Sequence, residues 1–192
     1  MAAVAKLERT RTDCEAELMA LIRQRSLRIG KFTLASGRES DLYLNLKPTM
    51  MDPRGARLCA EAFLARVPPG TDYVGGLEMG AVPVISALAA VSDLAGRPVR
   101  TFFVRKGAKD HGTREVVEGL ATGESLAGKR LLMVDDVATT GGSVLQAIEV
   151  ARGVGAVVED ALVIVDRQEG GTENLAARGV RLHSVFVGDD FR

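Results

Sequence analysis

One stretch constrains this chain more than any other: Leu131-Leu132-Met133-Val134-Asp135-Asp136-Val137-Ala138-Thr139-Thr140-Gly141-Gly142-Ser143. It opens with a short, continuously apolar run. Such a run reads as a strand buried on both faces, which occurs in parallel sheets covered by helices. The run then turns acidic, passes through a Thr/Gly-rich turn and leads into a helix predicted over 143–152. The carboxyl edge of a parallel strand is where open α/β sheets bind ligands. Gly141 and Gly142 carry no bulky side chain, so backbone N–H groups can approach a phosphate closely. The helix N-terminus adds partial positive charge, and Thr139, Thr140 and Ser143 offer hydroxyls. Asp135 and Asp136 would repel a ligand that was phosphate alone; they suit one that also presents hydroxyls, as a ribose 2′,3′-diol does. The plainer alternative is a strand-to-helix turn in which one Asp serves as a cap.

The rest of the chain fits such a sheet. Strands are predicted over 73–77, 99–104, 157–165 and 180–187, and helices from Asp52-Pro53 onward, over 82–94 and over 173–178. Strands alternating with helices imply a mostly parallel sheet with helices on both faces. The N-terminal part reads differently. Thr12-Asp13-Cys14-Glu15 has the form of a capping box, and Cys14, Leu18, Leu21 and Ile22 recur at helical spacing, predicting a helix to about Arg25. Two short paired strands follow on either side of a Gly-containing turn at 35–40. Residues 105–118 form a polar stretch that is long for a loop in a compact domain; such loops tend to be lids or disordered.

At 192 residues the chain suits one domain, spanning 1–192, with the distinct N-terminal elements over about 12–47 as part of it. Lys plus Arg and Asp plus Glu both number 25, so bulk charge pulls toward neither nucleic acid nor membrane. The sequence holds no apolar run long enough to span a bilayer, and no signal core follows its basic start, which predicts a cytoplasmic protein. Cys14 and Cys59 show no metal spacing and sit on apolar helical positions, so they read as buried free thiols. There is neither a dinucleotide G-x-G-x-x-G nor a G-x-x-x-x-G-K-[ST] loop. Gly75-Gly76-x-x-x-Gly80 fits a ligand contact or a mere turn equally well. His183, on a strand without a partner motif, reads as structural or superficial.

Two further segments carry charge. Arg105, Lys106, Lys109 and His111 put three fixed cations and an imidazole into one short loop. Alone that is a solvated charged loop. In Asp166-Arg167-Gln168-Glu169-Gly170-Gly171 the Arg fork suits a planar anionic base, unless Arg167 merely pairs with Asp166 or Glu169.

The 134–143 run resembles the phosphoribosyl pyrophosphate (PRPP) motif of type I phosphoribosyltransferases. The loop at 105–112, the strand end at 166–171 and the segment Phe32 to Ser40 are similar to the catalytic loop, base-binding strand end and N-terminal hood of the orotate phosphoribosyltransferases. The resemblance implies a pentosyltransferase that joins orotate to PRPP. Asp135, Asp136, Val137, Ala138, Thr139, Thr140, Gly141, Gly142 and Ser143 would bind PRPP, with Arg105, Lys106, Lys109 and His111 on its pyrophosphate. Thr139, Arg167, Tyr43 and Leu44 would bind orotate. Catalysis would rest on Lys109, His111, Lys106 and Asp136. It further implies Mg²⁺ carried mainly by PRPP, with no dedicated protein ligand, and a homodimer whose loop covers the partner's site. Some members have lysines where this chain has Ala35 and Gly80, and Lys47 is the candidate replacement. Two rival readings are a transferase for a purine or uracil, against which the loop and Arg167 argue, and a PRPP-sensing transcription regulator, against which neutral charge argues.

Overall fold

Continuous apolar runs pack into one sheet because alternate residues can bury on opposite faces. The computed structural model describes residues 10–33, 39–107 and 116–192. Its elements are α1 (Arg11–Arg25), β1 (Leu27–Thr33), β2 (Glu39–Leu44), α2 (Lys47–Met50), α3 (Pro53–Leu64), β3 (Tyr73–Leu77), α4 (Val82–Leu94), β4 (Arg100–Val104), β5 (Val117–Glu118), β6 (Arg130–Ala138), α5 (Gly142–Gly153), β7 (Val157–Asp166), α6 (Gly171–Ala176) and β8 (Arg181–Val187). A 3₁₀ turn, Gly188–Phe191, follows.

Strands β5-β4-β3-β6-β7-β8 form the main sheet, parallel except for β5, which pairs antiparallel with β4. Within β6, Leu132 and Val134 pack into a core shared with α1, α3 and α4, while Leu131 and Met133 pack into a second core with α5 and α6. This is the expected α/β architecture with helices on both faces. β1 and β2 form a separate antiparallel pair, joined to the first core through Leu42, Leu44 and Leu46. Close backbone approach explains two glycines. A Cβ at Gly76 would sit 2.0 Å from the Val134 carbonyl, and one at Gly75 would sit 2.4 Å from the Phe102 ring.

Several boundaries differ from the sequence reading. The capping box is formed by Thr10 and Asp13, not from Thr12: Thr10 Oγ1 accepts from the Asp13 N–H at 3.2 Å, and the Asp13 carboxylate accepts from Thr10. β6 runs on through both acids because Val137 and Ala138 still pair with Val165 and Asp166 of β7. β1 begins before the expected strand, with a register shift between Ile29 and Phe32. α2, β5 and the final 3₁₀ turn were not expected; each is too short to leave a periodic signal. Cys14 and Cys59 are buried, and burial pushes the Cys59 thiol up to about 12, which keeps it unreactive.

Candidate active site

The cradle follows β6 at its carboxyl edge. Gly141 adopts a left-handed φ of 77°, which turns the chain from strand into α5. No described side chain caps α5, so its first-turn amides are free to face a ligand. The turn is held from behind. A Cβ at Gly141 would meet Leu175 Cδ1 at 2.5 Å, and one at Gly171 would meet the Thr139 carbonyl at 2.9 Å. Asn174 Nδ2 donates to the Thr140 carbonyl at 2.9 Å, and the Arg167 N–H donates to Ala138 O at 2.8 Å. Thr139, Thr140, Gly142 and Ser143 remain exposed.

Two acids occupy the floor beside it. Asp135 is 4% exposed and Asp136 half-buried. The Asp136 N–H donates to Asp135 Oδ1 and the Val137 N–H to Asp136 Oδ1, both at 2.9 Å. Burial, and then the charge of Asp136, push the Asp135 carboxyl up to about 8. Lys47 Nζ, at the start of α2, lies 4.0 Å from Asp136 Oδ2. The glycine at 80 now has a cause: its Cβ would lie 2.2 Å from Asp135 Oδ1 and 3.0 Å from Asp136 Oδ1. Any side chain there, lysine included, would displace the acid pair. The sequence alone fits ligand contact or turn at Gly80 equally well, because proximity to the acids arises only from packing β3 against β6.

The cationic loop leaves the sheet next to these groups. The Arg105 N–H donates to Val116 O at 2.8 Å, closing the root of the loop, and Arg105 Nη1 lies 3.8 Å from Glu118 Oε1. Lys106 is exposed. Lys109 and His111 lie outside the described residues, as does Ala35 of the hood.

Arg167 stands at the end of β7. Its Nη2 pairs with Glu169 Oε1 at 2.8 Å, with the side chains 11% and 18% exposed. Asp166 is used differently: Oδ1 accepts from the Gln168 N–H at 2.8 Å and Oδ2 from Thr172 Oγ1 at 3.1 Å. These bonds hold Gln168 at a φ of 59°, uncommon for a residue with a side chain. In the hood, Tyr43 is 40% exposed and its ring lies 5.5 Å from that of Phe32, whereas Leu44 is buried in the core. The two therefore face opposite sides of β2. The structure gathers the acids, the cradle and Arg167 at one sheet edge, with Lys47 against Asp136. His183 is elsewhere, bound to Asp160 at 2.8 Å. Burial pushes Asp160 up, but hydrogen bonds from His183 and Arg181 outweigh it and hold this carboxyl below its ordinary range. Asn174, whose bond to the Thr140 carbonyl holds the turn, and Glu78, whose Oε1 accepts from the Lys106 N–H at 3.0 Å, carry no sequence signal beyond being polar.

A parallel sheet bearing a phosphate-ready turn just after paired acids defines a class, and the family model described as "Phosphoribosyl transferase domain" matches residues 54–186. The chain belongs to the phosphoribosyltransferase family and, within it, to the orotate phosphoribosyltransferases. An orotate phosphoribosyltransferase of Bradyrhizobium sp. (strain ORS 278) is 51% identical over 177 residues, 92% of this chain and 96% of that protein. The orotate phosphoribosyltransferase of Mycobacterium tuberculosis H37Rv, solved with Fe(III) dicitrate, superposes with a TM-score of 0.79 at 37% identity, covering 93% of this chain and 98% of that one. A second structure of the mycobacterial enzyme, in complex with PRPP, gives a TM-score of 0.74 at 29% identity, covering 93% and 92%.

Proposed function

We propose that this chain transfers the phosphoribosyl group of PRPP to orotate, giving orotidine 5′-monophosphate and pyrophosphate on the way to UMP. The observation that carries the reading is the juxtaposition, at one sheet edge, of the capless N-terminus of α5, the Asp135–Asp136 pair and Arg167. Residues 139–143 hold the 5′-phosphate through backbone amides and hydroxyls. Asp135 and Asp136 accept from the ribose 2′- and 3′-hydroxyls, and Lys47 balances Asp136. Arg167 presents its guanidinium to the orotate carboxylate, with Thr139 and Tyr43 beside the ring. Arg105, Lys106, Lys109 and His111 neutralise pyrophosphate as it departs.

In the reaction the deprotonated ring nitrogen of doubly anionic orotate bonds to C1′ while the C1′–O bond to pyrophosphate breaks, with inversion and oxocarbenium character. The protein contributes alignment and stabilisation of the departing charge. Among the described residues no three His, Cys, Asp or Glu side chains converge as a metal cage. Mg²⁺ would be held chiefly by PRPP oxygens and water, with no dedicated protein ligand. When bound, Mg²⁺ supplies further neutralisation of the pyrophosphate charge. We further infer a cytoplasmic enzyme, folded as one domain over 1–192 with its hood at 12–47.

Orotate depletion followed spectroscopically, with PRPP and Mg²⁺, tests the reading; no depletion defeats it. Uracil in the same assay tests Arg167. Uracil forgoes one charged hydrogen bond, worth about 1.5–3 kcal/mol, so orotate is preferred by roughly ten- to a hundredfold at 1.36 kcal/mol per decade. Glu169 keeps the guanidinium partnered in either case. Equal kcat/KM for the two bases would remove Arg167 from recognition.

The assembly proposed is a homodimer with shared sites, each loop serving the partner's cradle. Mixing inactive Lys109→Ala and Asp136→Asn chains tests it. In the hybrid, the site on the Lys109→Ala chain has an intact cradle and receives an intact loop, so activity returns. No rescue, with hybrid formation confirmed by mass spectrometry, excludes sharing.

A further inference from the structure

We propose that Glu78, in the turn after β3, is a positioning residue that fixes the direction in which the cationic loop leaves the sheet. The inference rests on the phosphoribosyl-transfer reading for its catalytic consequence, but its geometry stands by itself. The Glu78 N–H donates to Val104 O at 2.8 Å, and Glu78 Oε1 accepts from the Lys106 N–H at 3.0 Å. One residue thereby grips both sides of Arg105. The other end of the excursion is fixed by the Arg105 N–H to Val116 O bond and by the pairing of Val104 with Val117. Two residues farther along the same turn, Gly80 rests against Asp135 Oδ1. The turn therefore connects the root of the loop to the acid pair through direct contacts.

An acid at this place is otherwise unexpected. A carboxylate close to where pyrophosphate must lie opposes PRPP binding, so a residue selected only to bind would be neutral or cationic. A carboxylate accepting from a backbone N–H makes a strong, charge-assisted bond. Its effect falls on the main chain of Lys106, at the root of the cationic loop. The expected signature is a split: loss of Glu78 misdirects the loop and lowers kcat, while removal of the opposing charge leaves the KM for PRPP unchanged or lower.

The test compares Glu78→Ala and Glu78→Gln with the unaltered full-length chain, using amide hydrogen exchange and steady-state kinetics. In Glu78→Ala the Lys106 amide is expected to lose roughly tenfold or more of its protection. The Leu132 amide, in the sheet core, serves as the control for an intact fold. kcat is expected to fall roughly tenfold without a rise in the KM for PRPP. Glu78→Gln keeps an acceptor oxygen and is expected to restore most of both. Unchanged Lys106 exchange in Glu78→Ala overturns the proposal. So does a raised KM with kcat intact, which is the mark of a direct pyrophosphate contact. If the unaltered chain consumes no orotate, the functional reading fails, and Lys106 exchange still decides whether Glu78 tethers the loop.

Discussion

The two halves of the site edge are built by opposite means. The phosphate cradle is fixed by close backbone packing: Gly141 against Leu175, Gly171 against the Thr139 carbonyl, and Asn174 bonded to the Thr140 carbonyl. Among the described residues, the root of the cationic side is held by the two-residue strand β5, an Arg105 to Val116 bond, the approach of Arg105 to Glu118 and the Glu78 contact. A Cβ at Gly107 would meet nothing within 4 Å, whereas one at Gly141 would collide. The half proposed to hold the 5′-phosphate, a group the reaction leaves unchanged, is preorganised. The half proposed to meet the departing charge is joined, among the described residues, through those contacts at its root.

Removing a cation from the loop half should produce the largest kinetic effect. Lys109→Ala is expected to lower kcat by roughly 10²–10³, the usual cost of losing one group that stabilises transition-state charge. PRPP affinity should change much less, because the cradle is intact. Single-turnover rates beside PRPP titrations measure both. A change confined to the KM for PRPP would make the loop a binding element and erase the contrast between the halves.

A pair of alanine substitutions sharpens the contrast at the next scale down. Gly141→Ala forces a side chain into a left-handed conformation, at about 1–2 kcal/mol, and presses on the buried Leu175. Thermal unfolding should register about 2–3 kcal/mol of lost stability, and the KM for PRPP should rise roughly tenfold as the amides turn away. Gly107→Ala, entering open space, should stay within about 0.5 kcal/mol of the unaltered chain. Equal losses from the two would mean that packing does not distinguish the halves.

The same asymmetry governs what the sequence discloses. The cradle was legible because each of its requirements leaves a residue type behind: apolar strand, acids, hydroxyls, glycines, helix. The limits 73–77 and 82–94 agree with β3 and α4, since apolar pattern and breakers agree there. β6 was read too short because pairing with β7 carries it through two acids that propensity alone would end it on. Glu78 and Asn174 were not legible at all; their roles are set by which carbonyl or amide happens to lie across a gap between elements distant in sequence. Gly80 was visible as a glycine but not as the space beside Asp135. The pairing of Arg167 with Glu169 was an open alternative, and the structure shows it alongside the proximity to the cradle, so the two readings of that segment do not exclude each other.

The smallest effect concerns the cost of preorganisation itself, and it has a definite sign with pH. Asp135 is buried beside Asp136, and its carboxyl is raised to about 8 from an ordinary 3.8. A carboxyl raised in the folded state favours folding fully below its unfolded value. That contribution is lost as pH climbs from about 4 toward about 8, because the unfolded chain ionises freely while the folded one resists. Asn at the same position does not titrate and keeps an oxygen for the Asp136 N–H. Asp135→Asn is therefore expected to be more stable than the unaltered chain by about 1–2 kcal/mol at pH 8, with Lys47 and solvent at Asp136 moderating the cost. The gap should narrow steadily toward pH 4 and level off above pH 8. Urea midpoints at closely spaced pH values measure it, provided slopes are unchanged. The same substitution should weaken PRPP, since a carboxylate toward the ribose hydroxyls is gone, so stability rises where function falls. A pH-independent gap, or an Asn chain less stable at pH 8, would show that Asp135 is carried ionised at no cost in the unliganded protein. The tightly packed half would then hold its acids without strain, and the difference between the halves would reduce to the backbone contacts behind Gly141.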